Sequence, residues 1–173
     1  MKQLRGIEVK RFNKEVQNKF KNKRELVIVL FSVDYQANLG MIFRLCDALK
    51  VKKLYLTGGV RTPEGNIFGK VSRNKEEVVN WEKVEDITQV LSKLKSDGYE
   101  TVAVEITESS IRFDEYNWKD KVALVLGNEG HGVPDKILNL CDSSVFVPML
   151  GVGGSLNVAV ATAIVSYNVL LKN

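Results

Sequence analysis

Leu26-Val-Ile-Val-Leu-Phe31 is an unbroken run of apolar residues with no alternation between polar and apolar positions. A strand with one wet face alternates with a period of two, so a short continuous run reads as a strand buried on both faces, the mark of a parallel sheet covered by helices. Similar runs recur at Lys53-Leu-Tyr-Leu56, Thr101-Val-Ala-Val-Glu-Ile106, Val122-Ala-Leu-Val-Leu126 and Val145-Phe-Val147. Helical spacing lies between them. Met41 to Leu49 places Met41, Ile42, Leu45 and Ala48 on one face, and Asp86 to Ser96 places Ile87, Val90, Leu91 and Leu94 together before Gly98. A further helix is expected from Pro134, carrying Ile137, Leu138 and Leu140. The last, from about Leu156 to Leu171, is apolar on nearly every side and is expected to be buried. This alternation predicts an α/β fold: a mostly parallel sheet with helices on both faces. Thr57 to Asn80 reads as one long loop bearing Arg61, Lys70, Arg73 and Lys75.

Working outward from the strands, the 173 residues fit a single main domain. Charged residues at 27% and hydrophobic ones at 45% exclude wholesale disorder. No apolar run approaches the roughly 18 residues of a membrane span. The first two dozen residues lack the apolar core of a secretory signal, so a cytoplasmic protein is expected. Cys46 and Cys141 sit among apolar neighbours without a CxxC partner, which suits reduced thiols, and the lone His131 gives no metal set.

The net charge of +4 is unevenly spread. Residues 1–24 hold nine basic side chains (Lys2, Arg5, Lys10, Arg11, Lys14, Lys19, Lys21, Lys23, Arg24) against Glu8 and Glu15, a local +7, and the remainder sums to −3. Val9, Phe12, Val16 and Phe20 follow helical spacing there, so an amphipathic basic helix with a packing stripe is expected. Such a helix is read either as a solvated face or as a surface for RNA phosphates. The chain thus divides into a basic extension, 1–24, and a main domain, 25–173.

Three glycine-bearing segments follow expected strands, where an open α/β sheet binds its ligands. They are Asn38-Leu-Gly40-Met-Ile-Phe-Arg44, Leu126-Gly-Asn-Glu-Gly-His-Gly-Val-Pro134 and Val147-Pro-Met-Leu-Gly-Val-Gly-Gly-Ser-Leu-Asn157. Glycine lets backbone N–H and C=O groups approach a ligand, although turns use it equally. Two familiar phosphate motifs fail. Gly65 to Val71 is one residue short of a P-loop and has Val71 where a hydroxyl must hold magnesium, and a GxGxxG reading starting near Gly151 meets Leu156 at its last glycine. What remains is a nucleotide-like pocket of backbone and small residues, without a metal.

Taken together, Asn38-x-Gly40-x-x-x-Arg44, Leu124-Val-Leu-Gly-Asn-Glu129-Gly-His-Gly132, and Val147-Pro-Met with Ser155-Leu-Asn157-Val-Ala-Val-Ala resemble the three motifs of the SpoU class of RNA ribose methyltransferases, in the SPOUT superfamily. The resemblance runs in family order over about residues 25–171. It implies S-adenosyl-L-methionine as methyl donor, an RNA ribose 2′-hydroxyl as acceptor, a homodimer, and a C-terminal trefoil knot, a rare exception to unknotted topology. By the same resemblance Asn38, Arg44, Glu129, Ser155 and Asn157 take active-site positions, and Ile106, Gly127, Val147 and Leu156 contact the cofactor. Plainer readings stand beside these: Ser155 or Asn157 as a helix cap, Glu129 as an acceptor for loop N–H groups, and Asn38 as a turn residue. Arg44 reads as lying beside the Met41 and Ala48 stripe, an awkward place for a charge.

A guanidinium keeps its proton at a pKa above about 12, so Arg44 is read as gripping a phosphate and stabilising the developing alkoxide, with Asn38 and Asn157 orienting ribose and cofactor. The RNA surface expected is the basic helix with the cations of the long loop. The family's ribosomal members often carry a separate N-terminal RNA-binding domain, and its absence here inclines the reading to tRNA over rRNA. The alternative function is an inactive methyltransferase-like RNA-binding module or chaperone, against which the intact Asn38, Arg44, Glu129 and Asn157 count.

Overall fold

The computed structural model describes residues 1–19 and 24–172. Seven strands form one sheet in the order β3-β2-β1-β6-β4-β7-β5, and every pairing is parallel. They are β1 (Glu25–Phe31), β2 (Lys53–Thr57), β3 (Trp81–Val84), β4 (Glu100–Val104), β5 (Ile111–Arg112), β6 (Lys121–Leu126) and β7 (Ser143–Phe146). The helices are α1 (Ile7–Lys19), α2 (Gln36–Leu49), α3 (Asn66–Ser72), α4 (Ile87–Ser96), α5 (Asp135–Leu138) and α6 (Val158–Leu171).

The unbroken apolar run of β1 is explained by its place between β2 and β6. Leu26, Ile28 and Leu30 point to one face, with Leu39, Ile42 and Phe43 of α2 and Val165 and Val169 of α6. Val27 and Val29 point to the other, with Ile87, Val90, Leu91 and Leu94 of α4 and Ile137 of α5. Each large side chain so buried contributes about 1.5–3 kcal/mol, which is why Leu26 to Phe31 carries no polar position. Helices therefore cover both faces, as the alternation predicts.

Several expectations are corrected. Residues 57–80 are not one loop: α3 and a single 3-10 turn at Lys75–Glu77 lie within them, and β3 follows. α3 is held by packing, with the Phe68 ring edge-on to Phe43 of α2 at 5.3 Å between centroids. Gly40 allows the close approach, since a Cβ there would meet Val71 and the Ser72 nitrogen at 3.0–3.1 Å. This glycine of the first motif therefore serves a helix contact. Because α3 docks beside α2, the buried face of α2 is Asn38, Leu39, Gly40, Ile42, Phe43 and Cys46, while Met41 and Ala48 are exposed.

α6 is not buried all round. Val158, Ala159, Thr162, Val165, Ser166, Val169 and Leu170 face the core, and Val160, Tyr167 and Leu171 are about half exposed. α5 is one turn, with Pro134 at its N-cap, and Leu140 lies beyond it. α1 buries none of its residues: Val9, Phe12 and Val16 stay exposed, and Phe20, with Lys21 and Lys23, lies outside the described residues. Arg24 acts on the main domain, donating from Nη1 to the carbonyl oxygens of Val169 and Lys172 at the end of α6, where a cation opposes the helix dipole.

Cys46 and Cys141 are free thiols, and burial pushes Cys46 up to about 12, so it is inert packing. No helix among the described residues is long and apolar enough to cross a membrane.

Candidate active site

A cavity of about 690 Å³ opens beyond the carboxyl ends of β1, β4, β6 and β7, walled by the loops that leave them. This is where a parallel sheet places ligands. From the β1 side come Tyr35, Ala37 and Asn38, and from β4 Val104, Glu105 and Ile106. The loop after β6 supplies Gly127 to Gly132, and the segment after β7 supplies Val147, Met149 and Gly154 to Val158.

Each loop is pinned by its own polar groups. After β6 the chain doubles back, with Asn128 and Gly132 exchanging backbone hydrogen bonds at 2.8 and 3.1 Å. A Cβ on Gly127 would overlap the backbone of Gly132 and Val133, so only glycine permits this reversal. Asn128 fastens the loop to the sheet: its Nδ2 donates to the Ser32 carbonyl at 2.8 Å and its Oδ1 accepts from the Gly130 N–H at 2.8 Å. At the start of α6, Asn157 is the N-cap, its Oδ1 accepting from the Ala159 and Val160 N–H groups at 2.9 and 3.3 Å.

The three motif segments meet in one chain of hydrogen bonds. Asn157 Nδ2 donates to Asn38 Oδ1 at 2.9 Å, and Asn38 Nδ2 donates to Glu129 Oε1 at 2.8 Å. Glu129 also accepts the N–H groups of Asp34 and Tyr35 at the entry to α2, at 3.1 and 3.3 Å. Partial burial pushes the Glu129 carboxyl upward, but the hydrogen bonds led by Asn38 and Asp34 outweigh it and hold the group below its ordinary value. Glu129 is therefore a fixed anion and a weak base. The amide of Asn38 is nearly buried, an expense that makes sense because both its oxygen and its nitrogen are satisfied.

Of the residues expected at the site, Asn38, Glu129, Ser155 and Asn157 line the cavity together with Ile106, Gly127, Val147 and Leu156. Arg44 does not. It lies exposed on α2, six residues or about 9 Å of helix beyond Asn38, on the same side as Met41 and Ala48. Among the basic side chains expected to meet RNA, Arg61 is paired with Asp34 at 2.9 Å and Lys75 with Asp47 at 2.9 Å, while Lys70 and Arg73 are exposed. Reading the sequence missed Tyr35, Glu105, Asn128 and Phe146. Glu105 had a usable signal, an ionisable residue at the carboxyl end of a buried strand. No group of three or more His, Cys, Asp or Glu side chains among the described residues could hold a metal ion.

Comparison with known proteins agrees with this geometry. Residues 25–167 match the family described as the SpoU rRNA Methylase family. A tRNA (guanosine(18)-2′-O)-methyltransferase of Aquifex aeolicus is 32% identical over 147 residues, 85% of this chain and 69% of the relative. The crystal structure of the A. aeolicus TrmH/SpoU tRNA modifying enzyme superposes with a TM-score of 0.77 at 30% identity, covering 94% of this chain and 83% of that one. An AdoMet-bound rRNA methyltransferase from Sinorhizobium meliloti shares the fold, with a TM-score of 0.77 at 22% identity over 84% of this chain and 55% of that one.

Proposed function

The chain belongs to the SpoU methylase family, and we propose on that premise that it is an S-adenosylmethionine-dependent RNA methyltransferase acting on a ribose 2′-hydroxyl of tRNA. The single observation that carries the reading is the Asn157–Asn38–Glu129 chain, which joins all three motif segments at the wall of one cavity. The cavity suits the cofactor. Val104, Leu126, Val147 and Leu156 offer apolar surface to an adenosine-sized ligand, and the charged side chains lining it are the acids Glu105 and Glu129, as a cationic donor requires. Bound there, S-adenosylmethionine supplies a methyl group on a sulfonium, open to in-line displacement by an oxygen nucleophile.

The chain's own residues do the rest by positioning. Ile106, Gly127, Val147 and Leu156 would hold the donor, and Asn38 and Asn157, each fixed by the other, would orient donor and ribose. Glu129 acts through Asn38 and the start of α2. Ser155, exposed in the cavity lining, would meet the incoming RNA. Arg44 serves as an electrostatic clamp on the phosphate and the developing alkoxide.

We infer that the active form is a homodimer. The half-exposed Val160, Tyr167 and Leu171 of α6 and Met41 of α2 form apolar surface that a second copy would cover, and such a copy would also give the exposed Arg44 a cavity to serve. The trefoil threading of the C-terminal part is likewise an inference from the family. It is supported by a sheet order that sets β6 between β1 and β4 and sends β7 beyond β4. The basic extension is assigned to RNA through α1, with Lys70 and Arg73, because α1 is fully solvated and cationic, while Arg24 serves the main domain.

The test is incubation with labelled donor and total tRNA, followed by mass-spectrometric mapping. A single 2′-O-methylated ribose is expected. A label on a base, or donor binding without any transfer, would favour the inactive RNA-binding module.

A further inference from the structure

Two carboxylates line the cavity, and among the described residues no lysine or arginine does. Glu129 is committed to α2 through Asn38, Asp34 and Tyr35. Glu105 enters the function described above only as one of the acids lining the cavity, and its setting is unusual. It stands immediately after β4, half-buried, with Oε1 accepting the Ile106 N–H at 2.9 Å and Oε2 accepting the Val133 N–H at 2.9 Å. Gly132 passes directly over it at φ +64°, and a Cβ on Gly132 would overlap the Glu105 carboxylate. The side chain thus bridges the end of β4 and the loop after β6, two walls of the cavity, and cannot swing into solvent without releasing both hydrogen bonds. One lone pair on each oxygen remains, and the charge stays in a cleft where screening by salt is weak.

The methyl donor and the thioether left after transfer differ by one methyl group and one unit of positive charge. Shape separates ligands that differ by a methyl group only weakly, whereas a fixed charge acts on that difference directly. We propose that Glu105 is a specificity-determining residue: its anchored carboxylate makes the cavity prefer the cationic sulfonium donor over the neutral thioether product. The preference vanishes when the methyl group leaves, so the spent cofactor is held less tightly and departs. This rests on the methyltransferase reading above.

A carboxylate that merely fastened the loop would support every ligand equally, and calorimetry on the intact protein separates the two roles. The probes are S-adenosylmethionine, S-adenosylhomocysteine, and sinefungin, whose amine carries a cation near the sulfonium position. Glu105→Gln keeps an acceptor oxygen and removes the charge, and Glu105→Asp keeps the charge on a shorter stem. Glu105→Gln gives up one of the two backbone hydrogen bonds as well as the charge, so it is expected to weaken both cationic ligands about fivefold or more relative to the thioether, and Glu105→Asp to preserve the ratio of affinities even if all three fall. Equal loss of all three with Glu105→Gln, or an unchanged ratio, would overturn the proposal and leave the methyltransferase reading standing. Failure of the wild-type protein to bind either cofactor form would overturn both.

Discussion

Asn157 and Asn38, 119 positions apart in sequence, meet at the cavity wall with Asn157 Nδ2 2.9 Å from Asn38 Oδ1. The same Asn157 caps α6 through its Oδ1. One residue therefore couples the position of a helix to the orientation of a polar group in the site. The two roles are separable by substitution.

Asn157→Ala loses the cap and the link, and should lower stability by about 1 kcal/mol. Asn157→Ser keeps a capping oxygen and loses only the link, so its melting temperature should match the wild type. Both variants should lose transfer rate by about ten- to a hundredfold, since misplacement rather than unfolding is the defect. Thermal unfolding with single-turnover kinetics measures both. A Ser variant of full activity would remove the link from the mechanism.

Glu129 predicts an acid limb in stability. Its folded pKa lies below the unfolded value near 4.5, so its contribution is present above that pH and is lost as pH falls through the folded value. Melting temperatures of the wild type and Glu129→Gln measured from pH 7 to pH 3 should differ most at the neutral end and converge in acid. A gap that stays constant from pH 7 to pH 3 would mean that something other than the charge is at work.

Gly40→Ala tests the origin of the first motif's glycine. A methyl group there presses on Val71 and the Ser72 backbone at 3.0–3.1 Å, and overpacking of this kind costs about 1–3 kcal/mol. Denaturant unfolding should show the loss, while donor affinity in the folded fraction stays unchanged. Loss of affinity without loss of stability would return Gly40 to the ligand.

The basic extension carries a prediction about salt. Removing residues 1–22 should weaken tRNA binding and flatten the dependence of log affinity on log salt by roughly 0.7–0.9 for each phosphate that the extension neutralises. The main domain should still unfold cooperatively, because α1 buries none of its residues. Filter binding at several salt concentrations decides it, and an unchanged slope would take α1 off the RNA surface.

The central strands were legible because burial on both faces leaves an unmistakable apolar run, as in β1 and β6. The edge strands were not. β3 pairs on one side only and carries two consecutive polar residues, Glu82 and Lys83, and β5 is two exposed residues. α3 was hidden by Gly65 and Gly69, and forms because Phe68 finds Phe43, a packing partner invisible at the level of local spacing. The same docking decides which face of α2 is buried, which is why Met41 and Ala48 read as core and lie outside it. The cavity residues expected from the motifs converge except for Arg44. That exception is physical: Arg44 stands exposed about 9 Å of helix beyond Asn38, outside the lining of its own cavity.

Arg44 therefore bears the most weight. Transfer from labelled S-adenosylmethionine to tRNA should be read for wild type and Arg44→Ala, beside calorimetry with the donor alone. The exposed site means that the variant should fold normally. It should lose about a hundred- to a thousandfold in transfer rate, the scale of a missing transition-state clamp, with donor affinity intact. Undiminished transfer, or a parallel collapse of donor binding, would show that the acceptor side of the reaction lies elsewhere.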